Sequence, residues 1–388
     1  MNFKADLLEN RYRSYQEYRE KSPFFDPDLR SHIALKYEDV IYLLKSSETS
    51  SNRKKSQFDK LRKCPFSKDI VDFYDQWLMY MDGETHKDAR RLITYSLSKS
   101  TQKIEEIVNL AFSLYVEDIL LKNQGNIEII QDITVPFTVN VLSRVLGIEH
   151  EDYNNIIKIS KPIVMFLGNG DIGNEVERKK VLECLKETQT LLMQCINNCN
   201  NDESVIGYLL KEDIAIEAIS PLLINVVIDG YDPLASIISN YFQIISNKKR
   251  IPEDIAPNEL FDEIARLEPP FQYCARVAAE DLYLGSYKIK KGERIMSFIS
   301  SANRDPAVFE LSDNIMSRNR ELKHLSFGTG KHLCLGANLS KKVATKFFLN
   351  MNKINGKISL HHIDEKWIST IGYKILEKLV VNIEKRKV

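Results

Sequence analysis

No two cysteines in this chain have the spacing of a metal knuckle. The six (Cys64, Cys184, Cys195, Cys199, Cys274 and Cys334) are scattered without a C-x-x-C pair, which argues against a zinc site and fits a reducing compartment. Charge of one sign is missing too. Lys+Arg and Asp+Glu both total 54, so the formal charge is zero, and no global field favours nucleic acid. Long apolar runs are absent. The opening MNFKADLLENRYRSYQEYREKS is polar and charged, and the most apolar stretch, residues 215–245, is interrupted by Glu217, Asp229, Asp232 and Asn240. A soluble, cytoplasmic protein with no membrane anchor is expected. There is no repeat, low-complexity tract, linker or nucleotide-binding glycine fingerprint.

What is present is material for a large core, with 43% hydrophobic residues in a chain of 388. Helical periodicity predicts helices over Asp6–Lys21, Tyr37–Lys45, Glu84–Ser98, Thr101–Lys122, Asp132–Leu146, Glu151–Leu167 and Asn174–Asn198. Ala215–Ile245 reads as a buried helix crossing the whole fold. Short strands are predicted near His32–Leu35 and over Arg276–Ala279, Leu282–Leu284, Tyr287–Lys290 and Arg294–Phe298, followed by a loop-rich stretch. A helix over Leu335–Met351 and a strand at Val380–Ile383 complete the pattern. The expected architecture is mainly α with a small β portion, one domain over residues 1–388.

The chemistry concentrates in Phe327-Gly-Thr-Gly-Lys-His-Leu-Cys-Leu-Gly336, a glycine-framed loop around Cys334 just before an apolar helix. Backbone N–H groups and the positive end of a helix dipole favour a thiolate there. A thiolate without a second cysteine nearby is a ligand type that haem iron uses; the plain alternative is an inert core cysteine beside a turn. Upstream, Glu263 and Arg266 lie three apart and can pair on one helical face. Between them and the cysteine come a small sheet and an Asn303-Arg-Asp-Pro306 turn.

This succession resembles the cytochrome P450 family along essentially the whole chain. Phe327, Gly330, Cys334 and Gly336 match the fixed positions of the family's Phe-x-x-Gly-x-x-x-Cys-x-Gly signature. The resemblance implies that Cys334 is the proximal ligand of haem b, and that Glu263, Arg266 and Arg318 form a buried structural triad beneath it. It further implies that His86 and Arg90, four apart on one helical face, hold a haem propionate together with Arg276 and His332.

One segment departs from the pattern. Asp229-Gly-Tyr-Asp-Pro-Leu234 matches the family's distal helix at Gly230 and Asp232, but Pro233 stands where a threonine is usual. Proline has neither a hydroxyl nor an N–H, so a kink or opening is predicted at Asp229–Pro233, where water could replace the missing hydroxyl. Asp232 is the expected proton carrier, with Ser236 a weaker helper, and Tyr231 and Leu234 are candidate pocket residues. Phe73, Tyr74 and Trp77 read either as pocket lining or as core.

The resemblance implies a monooxygenase or oxidase acting on a small organic substrate, free or tethered to a carrier protein, in secondary-metabolite biosynthesis. Electrons would come from NAD(P)H through ferredoxin and its reductase, docking near Lys331, Lys341, Lys342 and Arg91. Alternatives on the same haem are a peroxide-driven peroxygenase, a coupling, desaturation or cyclisation enzyme, and a non-catalytic haem-binding protein.

Overall fold

The computed structural model describes residues 2–52, 68–75, 77–168, 175–212, 215–248, 251–317 and 323–386. Arg318 and the variable stretch from residue 56 to 67 lie outside these. The predicted first helix is two helices, Phe3–Glu9 and Arg11–Arg19. Asn10 separates them: its backbone is extended and its side chain accepts the Arg13 N–H, capping the second helix. The helix over Tyr37–Lys45 is as expected, and those read at 84, 151 and 174 run as Gly83–Ser100, His150–Gly168 and Glu175–Asn197. Those read over 101–122 and 132–146 each contain a π turn, at Ser113–Glu117 and Ile130–Thr134.

The helix Ile216–Ser246 forms the axis of the core. It contacts helices Val135–Leu146, His150–Gly168, Glu175–Asn197, Pro257–Leu267 and Ala337–Ile354, and both strands of the C-terminal hairpin. The part Leu222–Ser246 is long and apolar enough by composition to cross a membrane, but most of it is buried inside the protein. Its neighbours supply one continuous apolar cluster reaching from Ile70 to Ile383.

The β portion is larger than the sequence suggested. A five-stranded sheet runs in the order Phe24–Asp26, Ser31–Ala34, Arg294–Ser297, Cys274–Ala278, Thr49–Ser50, with one parallel pairing between the second and third. The expected terminal strand is half of a long hairpin, Ile358–Ser369 with Lys374–Lys385, extended by Gly125–Glu128. Charged residues along both hairpin strands hide the alternation that would have revealed it. Its tip is pinned to the chain before the sheet: Gln272 N donates to Gly372 O (2.9 Å) and Lys374 N to Pro270 O (2.9 Å).

Glu263 and Arg266 pair on the helix Pro257–Leu267, both with fully buried side chains. Arg266 gives Nε and Nη2 to the two carboxylate oxygens (2.9 and 2.8 Å), and its Nη atoms also bond the carbonyls of Asn303, Ser312 and Asn314. Glu263 in turn accepts the Met316 N–H (3.0 Å). A buried pair with every donor used is retained, while breaking it leaves a bare charge in the interior. Arg266→Met is therefore expected to lower stability by about 3 to 5 kcal/mol in chemical denaturation followed by circular dichroism. A loss near zero would show that the pair does not hold the 303–316 segment.

Candidate haem-thiolate site

The cysteine loop owes its path to glycine. Gly328 and Gly330 both take left-handed φ values (66° and 72°), and a Cβ on Gly330 would come 3.1 Å from the Leu44 carbonyl oxygen. Cys334 N–H then closes the loop on Phe327 O (2.9 Å), and Phe327 stacks on Phe261 at 5.8 Å. The helix Ala337–Ile354 starts just after, with Gly336 as its N-cap. Cys334 has a high accessible area yet sits deep among protein atoms, as a residue on the wall of an interior hollow does. Burial pushes its thiol up, and Asp229 adds to this. The N–H groups of Gly336 and Ala337 and the Arg90 guanidinium oppose it.

Cationic groups gather beside that sulfur. Arg90 Nη2 donates to Leu333 O (2.6 Å) in the loop, and the His86 and His332 rings lie 4.4 Å apart. His332 Nε2 is 3.4 Å from Asp82 Oδ1. Burial alone would push the Asp82 carboxyl up, but His332 and Ser50 outweigh it and bring it down to about 2. His86 is buried, and its Nε2 has no hydrogen-bond partner among the described residues. Arg276 is buried on the central strand Cys274–Ala278, with Nη1 on Ala275 O (2.9 Å). An orphaned ring nitrogen beside two guanidinium-bearing elements, at the rim of a hollow holding a thiol, suits a cofactor with carboxylate arms and a thiolate-binding metal.

The helix Ile216–Ser246 continues unbroken through Pro233, so the predicted opening is absent. Proline deletes one rung of the ladder, and the buried flanking residues Val227, Ile228, Ile237 and Ile238 hold the turns on either side. Toward mid-length one stripe keeps accessible area: Val226, Asp229, Gly230 and Pro233, at i, i+3, i+4 and i+7. A Cβ on Gly230 would meet nothing within 4 Å. The electrostatic reach of Asp229 to Cys334 puts stripe and sulfur on the same hollow. The Asn225 amide donates to Asp229. Asp232 lies to one side, where burial pushes its carboxyl up against the opposing effect of the Tyr373 hydroxyl and the Lys161 charge.

Other sequence readings are redistributed. Leu234 is buried in the core, not on the hollow, and Ser236 is buried with its hydroxyl unpartnered among the described residues. Phe73, Tyr74 and Trp77 form a buried edge-to-face cluster, the core alternative. Lys341 is committed to Asp262 (2.7 Å), tying its helix to the one carrying Glu263, whereas Lys331, Lys342 and Arg91 are exposed. Tyr373 at the hairpin tip was not foreseen. Its position depends on pairing across more than a hundred residues, and no local pattern marks it.

His86 generates a pH prediction. Burial first, then the charges of His332 and Arg90, bring its pKa down to about 4. A depressed histidine favours the folded state fully above its unfolded value and loses that contribution as pH falls toward 4. In the haem-free protein, the His86 ring resonance is expected to titrate near 4. A carboxylate delivered to Nε2 favours the charged ring, so loading haem is expected to move that titration upward. An unchanged titration on loading would remove His86 from the site.

Residues 258–351 match the sequence profile of the family described as Cytochrome P450. Cytochrome P450 109 of Bacillus spizizenii is 24% identical over 91% of this chain and 86% of its own length. The biotin biosynthesis cytochrome P450 of Bacillus subtilis is 23% identical over 98% of each. Among solved structures, P450BioI in complex with a fatty-acyl carrier protein shares the fold, with a TM-score of 0.80, 21% identity and coverage of 97% of this chain and 99% of that one. The profile match begins on the helix of Glu263 and Arg266 and ends beyond the cysteine loop, and the likeness outside it runs nearly end to end: this chain belongs to the cytochrome P450 family.

Proposed function

We propose that residues 1–388 form one soluble, cytoplasmic haem domain in which Cys334 ligates the iron of haem b from the loop side. His86, Arg90, Arg276 and His332 hold the propionates, while Phe327 and Gly336 shape the loop around the sulfur. Glu263, Arg266 and Arg318 lock the loop from below. The protein is a cytochrome P450 oxidoreductase of the monooxygenase class, and its cofactor is haem. Haem supplies the oxidative chemistry; the protein positions substrate and controls protons and electrons. The observation that carries this reading is Cys334 on an enclosed hollow, opposite the helical stripe of Asp229, Gly230 and Pro233.

The substrate is a small organic molecule of a biosynthetic pathway. A carrier-protein-tethered substrate is supported by the relative P450BioI, whose structure holds an acyl carrier protein. Ferredoxin and its reductase deliver electrons from NAD(P)H to the surface around Lys331, Lys342 and Arg91. On the opposite face Gly230 leaves room at the helix, and Asp232 is the carboxyl that hands protons inward. Peroxide-driven turnover is the second reading, favoured by Pro233, which removes the side-chain hydroxyl from the distal face.

Two measurements test this. The haem-loaded protein, reduced and exposed to carbon monoxide, is expected to give the red-displaced Soret band of thiolate ligation, and Cys334→Ala to lose it. A folded, loaded protein without that band refutes the reading. Asp232→Asn is expected to slow turnover by roughly a hundredfold or more with ferredoxin as donor, the scale of a lost general acid. Peroxide-driven turnover should change far less. Equal effects on both routes would take Asp232 out of proton delivery.

A further inference from the structure

We propose that Tyr373 supplies the hydroxyl that Pro233 lacks: its phenol, held at the hairpin tip between Asp232 and the cavity stripe, passes protons from Asp232 into the hollow over Cys334. This rests on the haem-thiolate reading and goes beyond it, since the residue comes from another element altogether.

The hairpin tip is built to hold that ring still. Thr370 N donates to Tyr373 O (2.8 Å), Gln272 N to Gly372 O (2.9 Å) and Lys374 N to Pro270 O (2.9 Å), so backbone bonds fix the turn on both sides. The turn lies flat on its support because residue 372 is glycine; a Cβ there would come 3.0 Å from the Tyr273 ring. Phe271 and Tyr373 pair across an isolated bridge with ring centroids 5.4 Å apart. The next residue, Lys374, is anchored by Glu268 (2.6 Å) and lies 4.1 Å from the centroid of the Trp367 ring. A phenol with this much backbone and ring support has few rotamers left.

The hydroxyl faces the distal helix. It approaches the Asp232 carboxylate and is within electrostatic reach of Asp229, which lies on the open stripe, and of Tyr231. The oxygen is buried, and it has no hydrogen bond of standard geometry within the described residues, so it is a donor in place. Asp232 is also faced by Lys161 and Tyr153 from the helix His150–Gly168. Tyr153 is already spent, donating to Val227 O (3.0 Å). Lys161 is exposed and marks the solvent side of Asp232. The groups therefore run from solvent at Lys161, through Asp232 and Tyr373, to the stripe at Asp229.

Burial favours the neutral form of both carboxyl and phenol, which is the state a shuttle needs. The Asp232 O–H gives its proton to the phenol oxygen while the phenol O–H gives its own to a water in the hollow. The phenol is unchanged, Asp232 becomes a carboxylate, and solvent on the Lys161 side reprotonates it. No oxidant or reductant enters this step.

The test is Tyr373→Phe in the haem-loaded protein, which removes one oxygen and keeps the ring pairing. With ferredoxin as donor, hydrogen peroxide released per reducing equivalent is expected to rise roughly tenfold, because protons no longer arrive in time for productive oxidation. In the carbonyl complex of aspartate-labelled protein, the Asp232 carboxyl titration is expected to move up, since a donor to its charged form is gone. A purely structural role for the ring moves neither quantity. Asp232→Asn combined with Tyr373→Phe should add nothing to the larger single effect, as for two members of one path. An unchanged Asp232 titration, an unchanged peroxide yield, or additive losses overturns the proposal. The thiolate band of the unsubstituted carbonyl complex reports separately on the haem reading, and the same band in Tyr373→Phe reports the fold of the variant.

Discussion

The buried guanidinium of Arg266 is the constraint on which the lower half of the molecule depends. Residues 303–316 carry little regular secondary structure and cannot satisfy their own backbone. Three of their carbonyls bond to Arg266, and one of their N–H groups bonds to Glu263. The exit of this segment is tied to the same helix. Asn303 holds Leu325 N (2.7 Å) and Ser326 Oγ (2.8 Å), and Ser326 Oγ donates to Ala265 O (2.6 Å). Phe327 follows directly, so the cysteine loop begins from a point fixed by an ion pair rather than by strand or helix. The desolvation of both charges is tolerated because each donor and acceptor has a partner.

From that anchor the site is assembled by elements far apart in sequence. The helix carrying His86 and Arg90 meets the loop through Arg90 on Leu333 and through the paired imidazoles. A second tie, Lys341 to Asp262, binds the helix after the cysteine to the helix before it. The sulfur is thus framed by N–H groups and positive charge on its own side, with the carboxylate of Asp229 across the hollow. The axial helix is both core and cavity wall. Its apolar sides pack against five helices, while one narrow stripe with a glycine and a proline leaves space. Small or side-chain-poor residues on that stripe make room for a flat cofactor without breaking the helix.

Local patterns were readable wherever one chain segment sufficed. The cysteine loop, the Glu263–Arg266 spacing and the His86–Arg90 helix needed only loop and helix geometry, and each is formed as read. Reading failed where the outcome depended on neighbours. Pro233 alone suggested an open helix, yet packing on both sides bridges the missing bond. Leu234 was a pocket candidate by proximity, but its direction around the helix puts it in the core. Lys341 looked like free surface charge until its helix was placed beside Asp262.

By itself the sequence determined the haem-thiolate chemistry, because a glycine-framed thiol before a helix is a local object, and the family, because its motifs occur in fixed order. It also determined that Pro233 brings no hydroxyl to the distal face. What only the tertiary structure decided is which group stands nearest to that gap. Tyr373 reaches Asp232 because a hairpin folds back from the end of the chain and its tip is pinned to residues 270–272. Such placement is set by long-range pairing and packing, for which the residues around Tyr373 carry no periodic or compositional mark.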